Sequence, residues 1–225
     1  MMSLEPHRIL SGILLEFLGG PISRRDIERA DLKFIRNISD TSWEEFIFES
    51  DEPLNGEIVN ASVFQYGAVC RRSRRRLLLL SPNRTIVEHL LEKRFSKVFV
   101  PRLRYVPIAV DDLVRAVVNK PSLYSLTRVY ARVPAYGQSL RSVSYYGDDL
   151  GEASMFREQM DKLSFFVCGL RSAIEAHELV RLGNDGTVSF FVSQPENRRL
   201  REIEKVLNFL KQNDYLDILS DDDSE

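Results

Sequence analysis

Side chains that bind metal ions are scarce in this chain of 225 residues. Three histidines and two cysteines are dispersed along it, at His7, Cys70, His89, Cys168 and His177. A structural zinc site needs four such ligands, and neighbouring ones are usually only about two to five residues apart. No such spacing occurs here, so the sequence predicts neither a metal site nor a bound metal cofactor.

The chain also lacks a disulfide framework and a long apolar run. Each cysteine lies in an apolar context, and a chain of this length can fold without disulfides, so both thiols are expected to be buried and reduced. The longest apolar stretch, Ile9–Leu18, has ten residues and contains Glu16, which is half of the roughly 20 residues that span a membrane. We therefore expect a cytoplasmic protein with no membrane partner.

Motifs for nucleotide binding or for a nucleophilic serine are missing. The sequence contains no Gly-x-Gly-x-x-Gly, no Gly-Lys-Ser/Thr and no Gly-x-Ser-x-Gly. These patterns cradle phosphates in a glycine-rich loop or present a serine on a strained turn. The sequence therefore favours a non-enzymatic protein and identifies no catalytic residue and no cofactor, while a catalytic site whose members meet only in space stays an open alternative.

One short acidic motif needs a separate interpretation. Tyr146-Gly147-Asp148-Asp149 resembles the Tyr-Gly-Asp-Asp signature of palm-domain RNA-dependent polymerases, in which two carboxylates at a hairpin tip hold catalytic magnesium. The match covers four residues, the following segment leads toward a helix instead of a return strand, and no Asp-x4-Asp element ends an upstream strand. Asp148 and Asp149 are therefore interpreted as acids at a helix N-terminus, where the helix dipole favours them.

What the sequence does contain is the composition and patterning of a folded α+β protein. Its 44% hydrophobic residues exclude a disordered chain, and 11 glycines and 9 prolines are ordinary numbers. Helices are predicted from Thr85 through Phe95 and over Val110–Val118, Met155–Leu163 and Arg198–Gln212, the last one amphipathic. Strands are predicted over Leu32–Ile38, Trp43–Phe48, Arg76–Leu80 and Phe165–Leu170, an extended edge segment over Lys97–Ile108, and hairpins over Leu126–Pro134 with Ser139–Tyr146 and over Glu178–Leu182 with Thr187–Val192. Ser3–Leu18 fits either a helix or a buried strand.

The organisation predicted from this pattern is one α+β domain over residues 1–219. Its sheet is mixed or antiparallel, with hairpins and packed helices. The alternative is a separate N-terminal subdomain over residues 1–52, because polar residues, Pro and Gly cluster over Asp51–Gly56. Residues 220–225 form an acidic tail, which we expect to be disordered and to act as a phosphate mimic on a basic surface.

Charge is strongly segregated along the chain although the net charge is only −2. Residues 71–104 contain eleven basic and two acidic residues, a net charge of +9. Residues 40–57 carry −7 and residues 214–225 carry −6, with no basic residue in either segment. Arginine outnumbers lysine by 24 to 7, and arginine is the better bidentate partner for phosphate or carboxylate.

Alternation along the predicted strands places basic and aromatic side chains on one face. Arg102 and Arg104 share a face of their segment, and Arg128, Tyr130 and Arg132 share a face of the next strand, opposite Val129, Ala131 and Val133. On the partner strand, we expect Arg141, Val143 and Tyr145 to continue that face. Arginine interleaved with tyrosine is what a nucleic-acid groove needs, because guanidinium groups contact phosphates and rings stack on exposed bases.

Two functional interpretations follow from this pattern. The first is a nucleic-acid-binding or other polyanion-binding protein, for DNA or RNA, whose contact residues are Arg71, Arg72, Arg74, Arg75, Arg76, Arg102, Arg104, Arg128, Tyr130 and Arg132. The second is a protein-interaction or assembly subunit, such as a homo-oligomer, in which segment 40–57 neutralises segment 71–104. The two segments could also neutralise each other within a single chain. In that case the basic residues would have a purely structural role.

Overall fold

The fold is α+β, as the sequence predicted, and the strand pairs with a described register are antiparallel. The computed structural model describes residues 9–17, 24–41, 43–50, 53–54, 58, 60–66, 76–82, 84–99, 103–119, 123–134, 142–172, 179–191 and 196–217. The chain divides into two compact units, unit 1 from Met1–Val106, Val192–Asn208 and Ile218–Glu225, and unit 2 from Pro107–Phe191 and Phe209–Asp217. A single domain over residues 1–219 stays a prediction.

Unit 1 contains a sheet in the order β2-β3-β4-β5-β1, with β6 pairing the last three residues of β1. Its strands are β1 (Ile9–Phe17), β2 (Leu32–Asn37), β3 (Trp43–Glu49), β4 (Asn60–Tyr66), β5 (Arg76–Ser81) and β6 (Leu103–Tyr105). Its helices are α1 (Arg24–Glu28), α2 (Arg84–His89) and α3 (Ser96–Phe99), and a π-helical stretch over Leu90–Phe95 joins the last two. Strand β4 is absent from the sequence-based prediction.

The core of unit 1 lies between its sheet and the α2–α3 segment. Phe46 and Phe48 of β3 and Leu15 of β1 are fully buried against Leu90 and Phe95. Burying each side chain of this size stabilises the fold by about 1.5–3 kcal/mol relative to exposure. The same burial explains why Ile9–Phe17 is a strand. Its backbone pairs with β5, and its apolar side chains such as Leu15 are buried in the core.

The segment after Phe95 differs from the prediction. Lys97–Ile108 was predicted to be extended, but Ser96–Phe99 is helical and the strand is limited to Leu103–Tyr105. The Ser96 hydroxyl donates to the Glu92 carbonyl, and Val98 packs against the core cluster. The local sequence of Ser96–Phe99 favours an extended backbone, but the packing of Val98 against the core stabilises a helix there instead.

Unit 2 contains a five-stranded sheet in the order β11-β10-β9-β7-β8. Its strands are β7 (Tyr124–Arg132), β8 (Ser142–Tyr146), β9 (Ser164–Ser172), β10 (Val180–Gly183) and β11 (Thr187–Phe191). Its helices are α4 (Val110–Asn119) and α5 (Ser154–Gln159), with 3-10 turns over Leu150–Glu152 and Met160–Lys162. Both hairpins predicted from the sequence, β7–β8 and β10–β11, are present.

One face of the unit 2 sheet is covered by α4. Leu113, Val114 and Val117 of this helix are buried, as are Val129 and Leu170 of the central strands. The Asp111 carboxylate accepts hydrogen bonds from the Phe165 amide at 2.9 Å and from Arg115 at 2.7 Å, which ties the start of α4 to β9. The other sheet face carries partly exposed side chains, among them Arg128 and Tyr130.

The closing helix is α6 (Glu196–Gln212). Its apolar stripe is buried at Leu200, Ile203, Val206, Leu207 and Leu210. Within unit 1 the indole nitrogen of Trp43 donates to the Leu200 carbonyl at 3.1 Å, and within unit 2 the Phe209 ring lies 4.9 Å from the Tyr124 ring. In the part of the chain that the structure describes, no helix is both long and apolar enough to cross a bilayer.

Candidate nucleic-acid interface

Strand β7 separates its side chains as the sequence predicted. Val129 and Ala131 are fully buried on the α4 side, and Val133 beyond the strand is buried as well. Arg128 and Tyr130 are partly exposed and Arg132 is exposed. The arginine and tyrosine side chains therefore lie on the face of the unit 2 sheet opposite α4.

Two β-bulges modify this alternation on the central strands. The pairing of β7 with β9 shifts between Leu126 and Arg128, and again between Tyr130 and Ala131. At the first shift, two successive residues of β7, Thr127 and Arg128, are both partly exposed, with a buried residue on either side. At the second shift the same holds for Phe166 and Val167 of β9. Bulges commonly re-aim side chains in this way beside functional sites.

Arg128 is stacked on a tyrosine of the neighbouring strand. Arg128 pairs with Tyr146 of β8 in the sheet register, and its guanidinium carbon lies 4.6 Å from the centre of the Tyr146 ring. Tyr146 is 55% exposed. A cation–π contact at an exposed site contributes about 0.5–1 kcal/mol, and it holds the guanidinium in one orientation.

The rings of Tyr130 and Tyr146 meet edge to face, with centroids 5.9 Å apart. When both are protonated, the Tyr146 hydroxyl donates to the Tyr130 hydroxyl at 2.6 Å between oxygens. On ionisation of Tyr146 the direction reverses, and the bond from Tyr130 lowers the pKa of Tyr146, helped by Ser144, Arg128 and Arg181. The same hydrogen bond, together with burial, raises the pKa of Tyr130. Tyr146 is therefore the member of the pair that ionises first.

A second arginine–ring stack lies on the β10–β11 hairpin. The guanidinium carbon of Arg181 lies 4.9 Å from the centre of the Phe191 ring, and both side chains are partly exposed. The sequence-based selection of site residues omitted this pair. The signal was available, because Val180, Leu182, Val188 and Phe190 alternate as buried residues and so direct their neighbours outward.

Phe166 lies close to the tyrosine pair on this surface. Its ring centroid is 6.4 Å from that of Tyr130. We use the term arginine–aromatic face for the six residues that these contacts bring together, namely Arg128, Tyr130, Tyr146, Phe166, Arg181 and Phe191. Of the residues selected from the sequence, this face contains Arg128 and Tyr130, and Arg132 lies two positions beyond Tyr130 on the same side of β7.

The sequence-based continuation of this face onto β8 was wrong by one residue. In the observed register Tyr130 is opposite Ser144 and Arg128 is opposite Tyr146. Tyr145 lies on the other face, where its hydroxyl donates to Gln159 at 2.6 Å and its ring contacts Phe156. Because side chains alternate with period two, a one-residue change of register exchanges Tyr145 for Tyr146. Arg141 lies outside the described residues.

Arg104 has a structural partner in unit 1. Its guanidinium donates to the carboxylate of Glu16 at 2.8 Å, and the Glu16 side chain is only 2% exposed. Arg76 of β5 is the register partner of Glu16 from the other side, although only its backbone is described. Arg71, Arg72, Arg74, Arg75 and Arg102, which were also selected from the sequence, lie outside the described residues, as do Cys70 and the acidic tail.

The two acids after Tyr146 begin a helical segment, as the sequence analysis proposed. The Asp149 carboxylate accepts a hydrogen bond from the Gly151 amide at 3.0 Å and caps the 3-10 turn over Leu150–Glu152. Asp148 is exposed. Over the described ranges, no group of three or more His, Cys, Asp or Glu side chains is placed to hold a metal ion.

Four acids of segment 40–57 form described ion pairs with basic residues outside segment 71–104. Glu44 and Glu45 contact Arg24 and Arg36, both at 2.5 Å. Glu49 contacts Lys33 at 2.5 Å, and Asp40 lies 3.5 Å from Arg201. None of these four basic residues belongs to segment 71–104. These pairs therefore do not neutralise segment 71–104 with segment 40–57.

The chain matches none of the protein-family models, and no curated protein matches it in sequence. The geometry of the arginine–aromatic face is therefore the basis on which a function can be proposed.

Proposed function

We propose that this protein binds nucleic acid without catalysis, through the arginine–aromatic face of unit 2. One observation carries the proposal. Two guanidinium groups, those of Arg128 and Arg181, each stack within 5 Å of an aromatic ring on a partly exposed sheet face, with further rings beside them.

Stacked arginines suit phosphate binding for an energetic reason. A free arginine loses about 2 kcal/mol of rotamer entropy when it is held in one geometry. Contact with Tyr146 or Phe191 has already restricted the side chain, so less entropy is lost when a phosphate binds. Arg132 extends the basic surface at the end of β7, and the +9 charge of segment 71–104 adds sequence-independent attraction for a polyanion.

The test is a fluorescence-anisotropy titration of labelled single-stranded and duplex oligonucleotides at two salt concentrations. The protein is expected to bind at least one probe more tightly than about 10⁻⁴ M, with affinity that falls as salt rises. The double variant Arg128→Ala/Arg181→Ala should weaken binding and lower the log–log salt slope for single strands by roughly 1.4, about 0.7 for each lost phosphate contact.

The matched control removes a positive charge from the same unit without touching the face. Lys162 is exposed in the 3-10 turn after α5, and Lys162→Ala should leave the salt slope unchanged. Absence of binding to both probes would refute the proposal. So would a double variant that binds as tightly as the unchanged protein.

A further inference from the structure

We infer that a second copy of this chain pairs with the outer edge of β8, antiparallel and centred on Ser144, so that two unit 2 sheets join into one. The outer edge is the side of β8 opposite β7. This pairing is a matter of assembly and does not depend on nucleic-acid binding. It follows from the hydrogen-bond pattern of β8, from its amino acids and from their symmetry.

The β7–β8 register determines which backbone groups lie at the outer edge. The Gly147 amide donates to the Thr127 carbonyl at 3.0 Å, and hydrogen-bonded and non-hydrogen-bonded residue pairs alternate along antiparallel strands. Val143 and Tyr145 therefore bond to β7. The amides and carbonyls of the alternate residues point away from β7, namely those of Ser142, Ser144 and Tyr146. Among the described strands, β8 pairs with β7 alone, so these groups meet no described strand.

Strand β8 lacks the features that usually protect the edge of a sheet. Exposed edge strands commonly contain charged residues, proline or a β-bulge, which hinder pairing with another chain. The sequence of β8, Ser-Val-Ser-Tyr-Tyr, has no charge and no proline, and its register with β7 has no shift. The edge strand β2 of unit 1 differs, because it contains Lys33, Arg36 and a bulge between Phe34 and Arg36. The edge of β8 is therefore suited to pairing.

The pattern of β8 is complementary to itself. About a two-fold axis at Ser144, this residue faces Ser144 of the partner subunit, and Tyr146 faces Ser142 of the partner subunit. Each outward-directed residue then exchanges both of its backbone hydrogen bonds with the other copy. On the opposite sheet face, partly buried Val143 meets the partner's Tyr145. Pairs of an aromatic and a β-branched side chain are among those that stabilise neighbouring strands.

The charges at the two ends of β8 favour the antiparallel arrangement. Exposed Arg132 lies opposite Ser142 at the start of β8, and exposed Asp148 follows its end. Antiparallel pairing brings the start of one strand beside the end of the other, so Asp148 comes near the partner's Arg132. On the face with Arg128, one row then reads Arg128, Tyr146, Ser142 of the partner subunit and the partner's Arg132. The second copy thus adds a basic side chain to the arginine–aromatic face.

Sedimentation equilibrium of the full chain without nucleic acid tests the pairing. A short edge interface buries little surface and is expected to be weak, so the protein concentration is varied from about 1 μM to about 1 mM. The unchanged protein should form dimers as its concentration rises, at high salt as well, because backbone hydrogen bonds hold the pair.

Charge substitutions at the axis test the register. Ser144→Lys and Ser144→Glu each place like charges opposite one another, and each should raise the dimer dissociation constant roughly 5-fold or more at low salt. An equimolar mixture of the two variants should regain dimerisation, because opposite charges then meet at the axis.

The matched control is Asn37→Lys, which adds the same charge at an exposed residue of the other edge strand, β2. It should dimerise like the unchanged protein, and circular dichroism should show that every variant is folded. An unchanged protein that stays monomeric at all concentrations would overturn the inference. A dimer that Ser144→Lys does not weaken, or variants whose mixture does not regain dimerisation, would overturn it too. Since nucleic acid is absent, each of these outcomes leaves the proposed nucleic-acid binding intact.

Discussion

At the scale of single residues, Glu16 and Arg104 show how a basic side chain can be used for structure. Glu16 lies inside unit 1, and its carboxylate accepts from Arg104, whose side chain is 27% exposed. The sequence assigned Arg104 to a phosphate-binding surface because its charge and alternation are those of Arg102. Only the cross-strand register identifies Glu16 as its partner.

We predict that Glu16→Ala destabilises the protein by about 1.5–3 kcal/mol. The change removes a charge-assisted hydrogen bond of a buried carboxylate, while the Arg104 side chain that loses it is 27% exposed and keeps some access to water. The free energy of unfolding in urea measures the effect. As a control, Arg84→Ala breaks an exposed pair with Glu88 and should cost no more than about 1 kcal/mol. Equal losses in the two variants would contradict this assignment.

We predict that the tyrosine pair makes the proposed nucleic-acid binding depend on pH. Because Tyr130 and the nearby arginines lower the pKa of Tyr146 below that of an ordinary tyrosine, raising the pH ionises Tyr146 first. The new negative charge repels phosphates, so affinity should fall as the pH rises through that lowered pKa. Tyr146→Phe keeps the ring but cannot ionise, and its affinity should hold to higher pH. Identical pH profiles for the two proteins would refute the link.

At the scale of elements, the β10–β11 turn positions Arg181 opposite Ser189. Gly186 has a φ of 84°, a left-handed conformation that costs other residues about 1–2 kcal/mol. The Asp185 carboxylate accepts from the Thr187 amide at 3.0 Å and from its hydroxyl at 2.6 Å. A Cβ at Gly183 would lie 2.3 Å from the Thr187 hydroxyl oxygen, so the turn depends on both glycines and on Asp185.

Gly186→Ala is expected to lower the free energy of unfolding by about 1–2 kcal/mol, because the backbone at this position becomes strained. Asn184→Ala in the same turn has no positive φ to lose and should change stability by less than about 0.5 kcal/mol. Urea unfolding of both variants is the measurement. A stable Gly186→Ala protein would show that the turn adopts another conformation.

At the scale of the whole molecule, the segregated charges bear on assembly. Four acids of segment 40–57 have partners in Arg24, Lys33, Arg36 and Arg201. Those acids are less available to meet the +9 segment of a second copy. The hypothesis of a charge-paired homo-oligomer therefore loses part of the negative surface on which it depends.

We accordingly predict that the sedimentation coefficient does not change between low and high salt. Salt screens exposed charges over about 10 Å at 0.1 M, so an oligomer held by charge pairing would dissociate as salt rises. Analytical ultracentrifugation at two ionic strengths makes the comparison. A dimer that dissociates in salt, from a protein with no affinity for DNA or RNA, would favour the assembly role over nucleic-acid binding.

The sequence alone determined the features that depend on local pattern. Period-two alternation separated Arg128 and Tyr130 from Val129 and Ala131, since a strand can bury only one face against a helix. The Gly183–Gly186 turn identified the second hairpin, because these residues tolerate the backbone that a tight turn requires. The α+β class followed from hairpins interspersed with amphipathic helices.

The tertiary structure decided everything that depends on which strands lie side by side. The β7–β8 register selected Tyr146 over Tyr145, and the bulges on β7 and β9 turned Thr127 and Phe166 outward. Arg128 and Arg181 are far apart in the chain, but both are opposite Gly169 of β9, which places them on the same face of the sheet. Such pairings are set by side-chain packing across the sheet, and no short stretch of sequence contains both partners.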